Sequence, residues 1–326
     1  MRAVVLAEHG GPEVLRVSVA DDPVAGPDEI LVAVEHTAIN RADMLQRMGL
    51  YADPRRPTVE IPGLEYAGTV AACGSRVTEW SVGDAVMGIE TGSCYAELLA
   101  THARQAMPIP GAIEVRDAAA IPEVFVTAWD ALVVQGGLTS GRWALVHAGA
   151  SGVGTAAIQI AKAIGAHVAV TVSSGKAARC AELGADVVLE RSPADWLGAL
   201  GERVTGGVDV VLDVVGGDEA DRNLQAVRPQ GSIIQVGLMG GAVVSVNVGL
   251  LLSKRVRWIG TVLRPRPLEE KIAISRRFVA EVLPLFTAGR LRPVIDRRFP
   301  LDQVADAHRL MESNANVGKI LLEVAG

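Results

Sequence analysis

The run Trp143-Ala144-Leu145-Val146-His147, followed by Ala148-Gly149-Ala150-Ser151-Gly152-Val153-Gly154 and then residues 155–165, decides how this chain is read. Its first five residues are strand-like and its middle is a glycine-rich turn. Ala156, Ala157, Ile158, Ile160, Ala161 and Ile164 then fall at helical spacing, with no breaker before Gly165. A strand that passes through such a turn into a helix aims backbone N–H groups and the positive end of a helix dipole at one point. That suits a pyrophosphate, so the stretch predicts a dinucleotide site. The pattern G-x-G-x-x-G is met imperfectly: Gly149, Ser151 and Gly154 hold the three glycine positions, with Gly152 beside the serine to allow close backbone approach. On the turn alone, a strand-turn-helix without a ligand is the alternative.

The next strand downstream settles which dinucleotide to expect. In such folds the second strand ends roughly 20 residues on, where an acid holds a ribose 2′-OH or a cation accommodates a 2′-phosphate. Here that strand is His167–Val172, and 24 residues on from Gly149 stands Ser173. Ser173-Ser174-Gly175-Lys176 offers two hydroxyls and an ammonium, which can donate to a phosphate dianion, so NADPH is the expected cofactor. The alternative for Lys176 is a solvated charge at the start of a helix over residues 176–183.

Strand and helix keep alternating to about residue 237, with strands expected at 187–189, 208–214 and 232–237 and helices at 195–204 and 218–226. Alternation of this kind predicts a parallel sheet covered on both faces. A last strand is expected at 256–262. Upstream, residues 1–121 show short apolar runs separated by Gly-Pro, Pro-Asp and Gly-Asp turns, the signature of a β-rich domain. Within it residues 40–48 turn helical, and residues 51–62 form a proline-rich loop of the sort that lines sites. A helical stretch with Pro122 early in it covers residues 118–135. A helix at 267–288 is expected to kink or end near Pro284, and strands at 292–299 and 317–324 flank a helix at 301–313. These have no alternation left to join and are assigned to the first domain. The division expected is thus 1–121 with 263–326, and 122–262 between them.

With 326 residues, 49% hydrophobic and 21% charged, the chain can build two cores and has no disordered arm. A net charge of −6 and the lack of a basic block interleaved with aromatics argue against a nucleic-acid partner. No segment reaches ~18 uninterrupted apolar residues, so a membrane partner is not expected, and a cytoplasmic location is. Cys73, Cys94 and Cys180 are widely spread and form no Cys-x-x-Cys pair, which suggests neither a disulfide framework nor a zinc lobe. The six histidines are scattered singly; only His147, beside the phosphate turn, invites a closer look.

Six segments, in order, carry a family resemblance: Ile39-Asn40-Arg41-Ala42-Asp43-Met44-Leu45-Gln46-Arg47, Pro62-Gly63-Leu64-Glu65-Tyr66-Ala67-Gly68, Ala119-Ala120-Ile121-Pro122-Glu123, the run from His147 to Gly154, Gly237-Leu238-Met239-Gly240-Gly241 and Gly318-Lys319-Ile320. They resemble the zinc-independent quinone oxidoreductases of the medium-chain dehydrogenase/reductase superfamily, most of all the tumour-suppressor-inducible branch. The resemblance implies an α/β protein: a discontinuous, GroES-like, β-rich catalytic domain and a Rossmann domain with a doubly wound parallel sheet. It implies NADPH in the cleft between them and a homodimer formed through the last sheet strand. Zinc relatives need a Cys, a His and a further Cys or acid. Asn40 stands where that Cys would be and Leu64 where the His would be, followed by Glu65, so no metal is expected.

By the same resemblance Tyr51 and Asn40 are the candidate catalytic residues, facing the nicotinamide end. Tyr51 can donate to the reduced oxygen, or it can serve as a pocket wall. Thr127 lies near the carboxamide or ring. Gly149, Ser151, Gly152 and Val153 form the pyrophosphate turn, and Ser173 and Lys176 hold the 2′-phosphate. Gly237, Leu238 and Leu263 line the nicotinamide ribose and ring, and Lys319 is placed near the cofactor. Asp213 reads as a structural cap. Relatives often carry a Tyr after the third strand, where this chain has Glu190 and Arg191; the carboxylate would oppose a phosphate and the guanidinium would help it. The activity implied is hydride transfer from NADPH to a quinone. Reduction of an enone or a 2-enoyl C=C bond is the alternative within enzymes, and a non-catalytic, crystallin-like NADPH-binding protein is the alternative outside them.

Overall fold

The computed structural model describes residues 1–191 and 195–325. In chain order its strands are β1 (Arg2–Val5), β2 (Arg16–Val19), β3 (Glu29–Ile39), β4 (Glu65–Cys73), β5 (Ala85–Ile89), β6 (Leu98–His102), β7 (Met107–Pro108), β8 (Trp143–Val146), β9 (His167–Val172), β10 (Val187–Glu190), β11 (Val208–Asp213), β12 (Val227–Gln235), β13 (Arg257–Gly260), β14 (Ile295–Pro300) and β15 (Lys319–Glu323). They divide between two compact units. One comprises Met1–Val126 with Leu263–Gly326, and the other Thr127–Val262, the first boundary falling inside the helix Pro122–Trp129.

In the inner unit, β8 to β13 form one sheet in the order β10-β9-β8-β11-β12-β13, with every pair parallel. This is the doubly wound order in which the chain starts in the middle and winds outward to each edge. All six residues of β11 are buried, and five of six in β9, as strands covered on both faces require. The helix Gly152–Ala163 follows β8 and buries Ala156, Ala157, Ile158, Ile160 and Ala161, the positions that set its spacing in the sequence.

Three details depart from the pattern. The strand expected at 232–237 begins earlier, at Val227, and pairs with β11 on both sides of an irregularity. Lys254 Nζ holds the approach to it by donating to the carbonyls of Leu224, Gln225 and Val227 at 2.9, 2.7 and 2.8 Å. The helix Val248–Lys254 lies outside the expected elements: it is seven residues long, fully buries none of them, and only Leu250 and Leu251 pack in part against the core, too short a stripe to mark a helix by its spacing. The final strand is shorter than 256–262, ending at Gly260.

The outer unit is built on β3, whose Ile30, Val32 and Val34 alternate inward. Its sheet runs β14-β15-β3-β4-β5-β7, with β6 also paired to β3. β14 and β15 pair in parallel, and β15 then pairs antiparallel with β3, so the C-terminal segment completes the N-terminal sheet. Two expected helices are broken. Residues 118–135 divide into Val115–Ala118, Pro122–Trp129 and a π-helical turn Asp130–Gln135. Residues 267–288 divide into Leu268–Glu281 and Leu283–Thr287, because Pro284 has no N–H to continue the first helix.

Candidate functional site

The inner unit gathers most of the expected cofactor residues at the carboxyl ends of its parallel strands, where open α/β sheets bind ligands. After β8 the chain turns through Ala148, in the left-handed region at φ 54°, and Gly149, whose N–H donates to Thr171 O at 2.9 Å. A Cβ on Gly149 would lie 2.6 Å from Val170 Cβ, and one on Gly154 would lie 2.3 Å from Ala148 O. The outer two positions of the pattern are therefore glycine for want of room. Ser151 at the middle position does something else, since its Oγ accepts from Gly154 N at 3.0 Å and caps the helix. The first N–H groups of that helix, at Gly152 and Val153, have no partner within it, which is the donor set a pyrophosphate needs.

Ser173 and Lys176 follow β9 in a tight turn, with Lys176 N bonded to Ser173 O at 3.3 Å and Gly175 at φ 83°. Lys176 takes the cap position of the helix Ala177–Glu182. Glu190 ends β10 opposite Val172, the last residue of β9, and is exposed. The expected help from Arg191 is redirected: its Nε lies 3.7 Å from Glu219 Oε1. Gly237 and Leu238 follow β12. Their loop is locked to the one after β11 by Gly217 N to Gly241 O at 3.1 Å and Gly240 N to Val215 O at 2.7 Å. Gly216 and Gly217, at φ 64° and 60°, make that approach possible, and Leu238 is left 53% exposed. Thr127 is buried within the helix Pro122–Trp129, and Leu263 is buried at the start of the outer unit's second segment.

His147 is fully buried in a polar chain. Its ring nitrogens lie 2.9 Å from Thr171 Oγ1 and 2.7 Å from Asn223 Oδ1, and Asn223 Nδ2 donates to Asp213 Oδ2 at 2.9 Å. Asp213 Oδ1 accepts from the amides of Val215 and Gly216. The chain ties two strands, a helix and the loop after β11 together, a structural use of both His147 and Asp213.

The outer unit holds a second cluster. Lys319, 2% exposed on β15, donates to Ile39 O at 2.9 Å, Asn40 Oδ1 at 2.6 Å and Glu65 Oε1 at 2.7 Å. Those three acceptors use all the protons of an ammonium. Lys319 is thus fastened to Asn40, and any part it plays toward a cofactor passes through that amide. Asn40 Nδ2 donates to the same Glu65 oxygen at 2.8 Å, and Asn40 N to Asp43 Oδ2 at 2.7 Å at the start of the helix Arg41–Arg47. Tyr95 OH donates to Asp43 Oδ2 at 2.9 Å, and burial pushes the Asp43 carboxyl up to about 6. Leu64 is buried in the core. Among the described residues there is no group of three or more His, Cys, Asp or Glu able to hold a metal ion.

Tyr51 opens the proline-rich loop. The Arg264 guanidinium lies over its ring at 5.0 Å, and Arg264 Nη1 donates to Tyr51 O at 3.0 Å. Arg264 also reaches Thr91 O at 2.6 Å and Gln46 Oε1 at 2.7 Å, so one buried side chain fixes the loop to two other segments. Burial raises the Tyr51 hydroxyl above its ordinary range; Arg264 opposes that and Glu123 adds to it. The phenol therefore carries its proton at neutral pH. Glu123 N donates to Glu65 Oε2 at 2.8 Å, which brings the helix start onto the same carboxylate. Sequence reasoning gives no role to Arg264, Glu65 or Glu123. Glu65 and Glu123 stand inside recognisable segments, but Arg264 is attached to no motif and its contact with Tyr51 is wholly tertiary.

Comparison with known proteins is consistent across the whole chain. A family model described as an alcohol dehydrogenase GroES-like domain matches residues 26–133, and one described as a zinc-binding dehydrogenase matches residues 183–322. The chain is 32% identical to a quinone oxidoreductase of Lama guanicoe over 99% of its own length and 97% of that protein. It is 29% identical to the synaptic vesicle membrane protein VAT-1 homolog of Rattus norvegicus, over 99% and 84% of the two chains. Among solved structures, Escherichia coli quinone oxidoreductase complexed with NADPH superposes with a TM-score of 0.90 at 30% identity, covering 99% of this chain and 100% of that one. The CurK enoyl reductase has a TM-score of 0.89 at 25% identity, covering 99% of each chain.

Proposed function

This chain belongs to the medium-chain dehydrogenase/reductase superfamily, among its quinone oxidoreductases and VAT-1 homologues, and from that premise we propose that it is an NADPH-dependent oxidoreductase that delivers hydride to a quinone. The observation that carries the cofactor choice is the turn after β9, where Ser173 and Lys176 stand and no carboxylate does. The donor set fits the group: capped helix N–H groups for the pyrophosphate, hydroxyl and ammonium for the 2′-phosphate, and glycine-locked loops after β11 and β12 for the ribose and ring. NADPH, when bound, supplies the hydride. Within the inner unit, Gly152 and Val153 hold the pyrophosphate by backbone N–H groups, Gly149 and Ser151 shape the turn, and Ser173 and Lys176 select the phosphorylated ribose. Gly237 and Leu238 line the nicotinamide ribose and ring, and Thr127 orients the carboxamide.

The outer unit supplies the acceptor end. Tyr51 donates its phenolic proton to the acceptor oxygen as negative charge develops there, and Asn40, immobilised by Lys319 and Glu65, shapes the pocket beside it. Among the described residues the edge strand β13 pairs only with β12, and Leu252 and Val262 near it are 72% and 49% exposed. We assign that edge to a homodimer, which sedimentation equilibrium would test by returning twice the chain mass. No helix among the described residues is long and apolar enough to cross a membrane. A cytoplasmic location belongs to the same proposal, with cell fractionation as its check.

Initial rates with NADPH and NADH against an ortho-quinone, a para-quinone, an enone and an enoyl thioester test the function. Fastest NADPH oxidation with quinones supports it. Turnover confined to the enone or thioester would assign C=C reduction, the reading that the likeness to an enoyl reductase favours. NADPH binding with no turnover would assign a non-catalytic role. Lys176→Ala should raise the KM for NADPH by roughly ten- to a hundredfold and leave NADH nearly unaffected, since a charge-assisted contact of about 1.5–3 kcal/mol is absent from NADH. Equal effects on the two cofactors would remove Lys176 from the phosphate site.

A further inference from the structure

Glu123 is the one acid of the outer-unit cluster whose carboxyl group has neither a hydrogen bond nor an ion pair among the described residues. Its neighbours are all committed. Glu65 accepts from Lys319, Asn40 and the Glu123 amide, and Asp43 accepts from Asn40 N and Tyr95. The single ammonium of the cluster, on Lys319, is fully used by Ile39, Asn40 and Glu65. The one guanidinium nearby, on Arg264, is committed to Thr91, Tyr51 and Gln46, so a third carboxylate there would only share the two cations at a distance. As a residue Glu123 is half-buried. The groups that face it are Glu65 at the start of β4, Lys319 on β15, Asp43 on the helix Arg41–Arg47, Arg264 and Tyr51. Burial and the Glu65 charge push Glu123 up to about 8, against the opposing pull of Lys319 and Arg264.

Resting on the quinone-reductase reading above, we propose that Glu123 is the proton store of the acceptor site, a carboxylic acid that reloads the Tyr51 hydroxyl after each turnover. The step balances. Hydride adds to the acceptor, and an electron pair moves onto the acceptor oxygen. The Tyr51 O–H bond breaks as that oxygen gains the proton. The resulting phenolate is reprotonated, through water, by the Glu123 O–H group, and the Glu123 carboxylate recovers a proton from solvent. Arg264, over the Tyr51 ring, steadies the phenolate between the two transfers. A carboxyl held neutral at neutral pH can act as such a donor, whereas an ordinary surface glutamate would already be ionised.

The test begins with the cofactor-free protein carrying ¹³C-labelled glutamate carboxyls. One signal should titrate near pH 8 and disappear in Glu123→Gln; a Glu123 signal titrating in the ordinary range of about 4–5 overturns the proposal. The second readout is the pH dependence of kcat with NADPH and 1,4-benzoquinone. Wild type should lose rate above about pH 8 with a one-proton slope. Glu123→Gln should be at least tenfold slower at pH 7 and lack that limb, and Glu123→Asp should restore part of both. Wild-type reduction of benzoquinone together with an unchanged rate and profile in Glu123→Gln would sink the proton store and leave the quinone reading intact. A wild-type protein that binds NADPH but reduces no acceptor would sink the functional reading and this inference with it.

Discussion

Replacing Lys319 by Met should be among the most damaging single changes in the outer unit, although it nearly keeps the length and volume of the side chain. The ammonium is 2% exposed and its partner Glu65 is fully buried. Its loss leaves Glu65 with hydrogen-bond donors from Asn40 and Glu123 but without a counter-charge, and takes one donor each from the carbonyl of Ile39 and the amide oxygen of Asn40. Breaking a buried pair in this one-sided way costs about 3–5 kcal/mol, which is roughly two to three and a half decades in an opening equilibrium. Removing both charges, in Lys319→Met with Glu65→Gln, should recover much of that, because the penalty lies in the orphaned carboxylate. Native-state hydrogen exchange of the β3, β4 and β15 amides over a urea series reads the stability of this unit alone. A loss below about 1 kcal/mol for Lys319→Met, or a double variant no more stable than either single one, would refute the reasoning.

Two further outcomes follow from the same structure. Gly154→Ala places a Cβ 2.3 Å from Ala148 O and 2.6 Å from the Gly149 carbonyl carbon, both backbone atoms that cannot swing aside. It should destabilise the inner unit by about 1–3 kcal/mol and weaken NADPH binding by calorimetry; an unchanged affinity would separate the turn from the cofactor. The pH dependence of stability should carry the mark of Glu123. Its folded value near 8 lies above that of the unfolded chain, so the folded state keeps a proton that the unfolded state has lost between about pH 4.5 and 8. Stability therefore falls as pH rises through that window, by at most about 1.4 kcal/mol per unit and by less where water screens the carboxyl. Glu123→Gln should flatten the fall in Tm from pH 5 to 8.5, and parallel curves for the two proteins would count against it.

Local pattern is enough to reveal the inner unit. Strand, glycine turn and helix are set by residues within a few positions of one another, and alternation of such units leaves few arrangements other than a parallel sheet. The same locality marks the pyrophosphate turn and the Ser173–Lys176 set. It gives a poorer account where an element has little internal signal: the short helix Val248–Lys254 fully buries no residue, and the early start of β12 rests on the partner strand and on Lys254. Pro284 announces a break in the helix at 267–288, and the chain does break there.

Residue order alone dictates the succession of the elements and the residue types at the phosphate turn, because periodicity and turn chemistry act over one or two turns of chain. The outer cluster exists only in three dimensions. Asn40, Glu65, Glu123, Arg264 and Lys319 include partners 279 residues apart along the chain, yet they meet because β15 returns to pair with β3 and because Arg264 reaches the Tyr51 loop. What each of those charges does depends on which others are buried with it. That is a property of distance and solvent access, which no local pattern records.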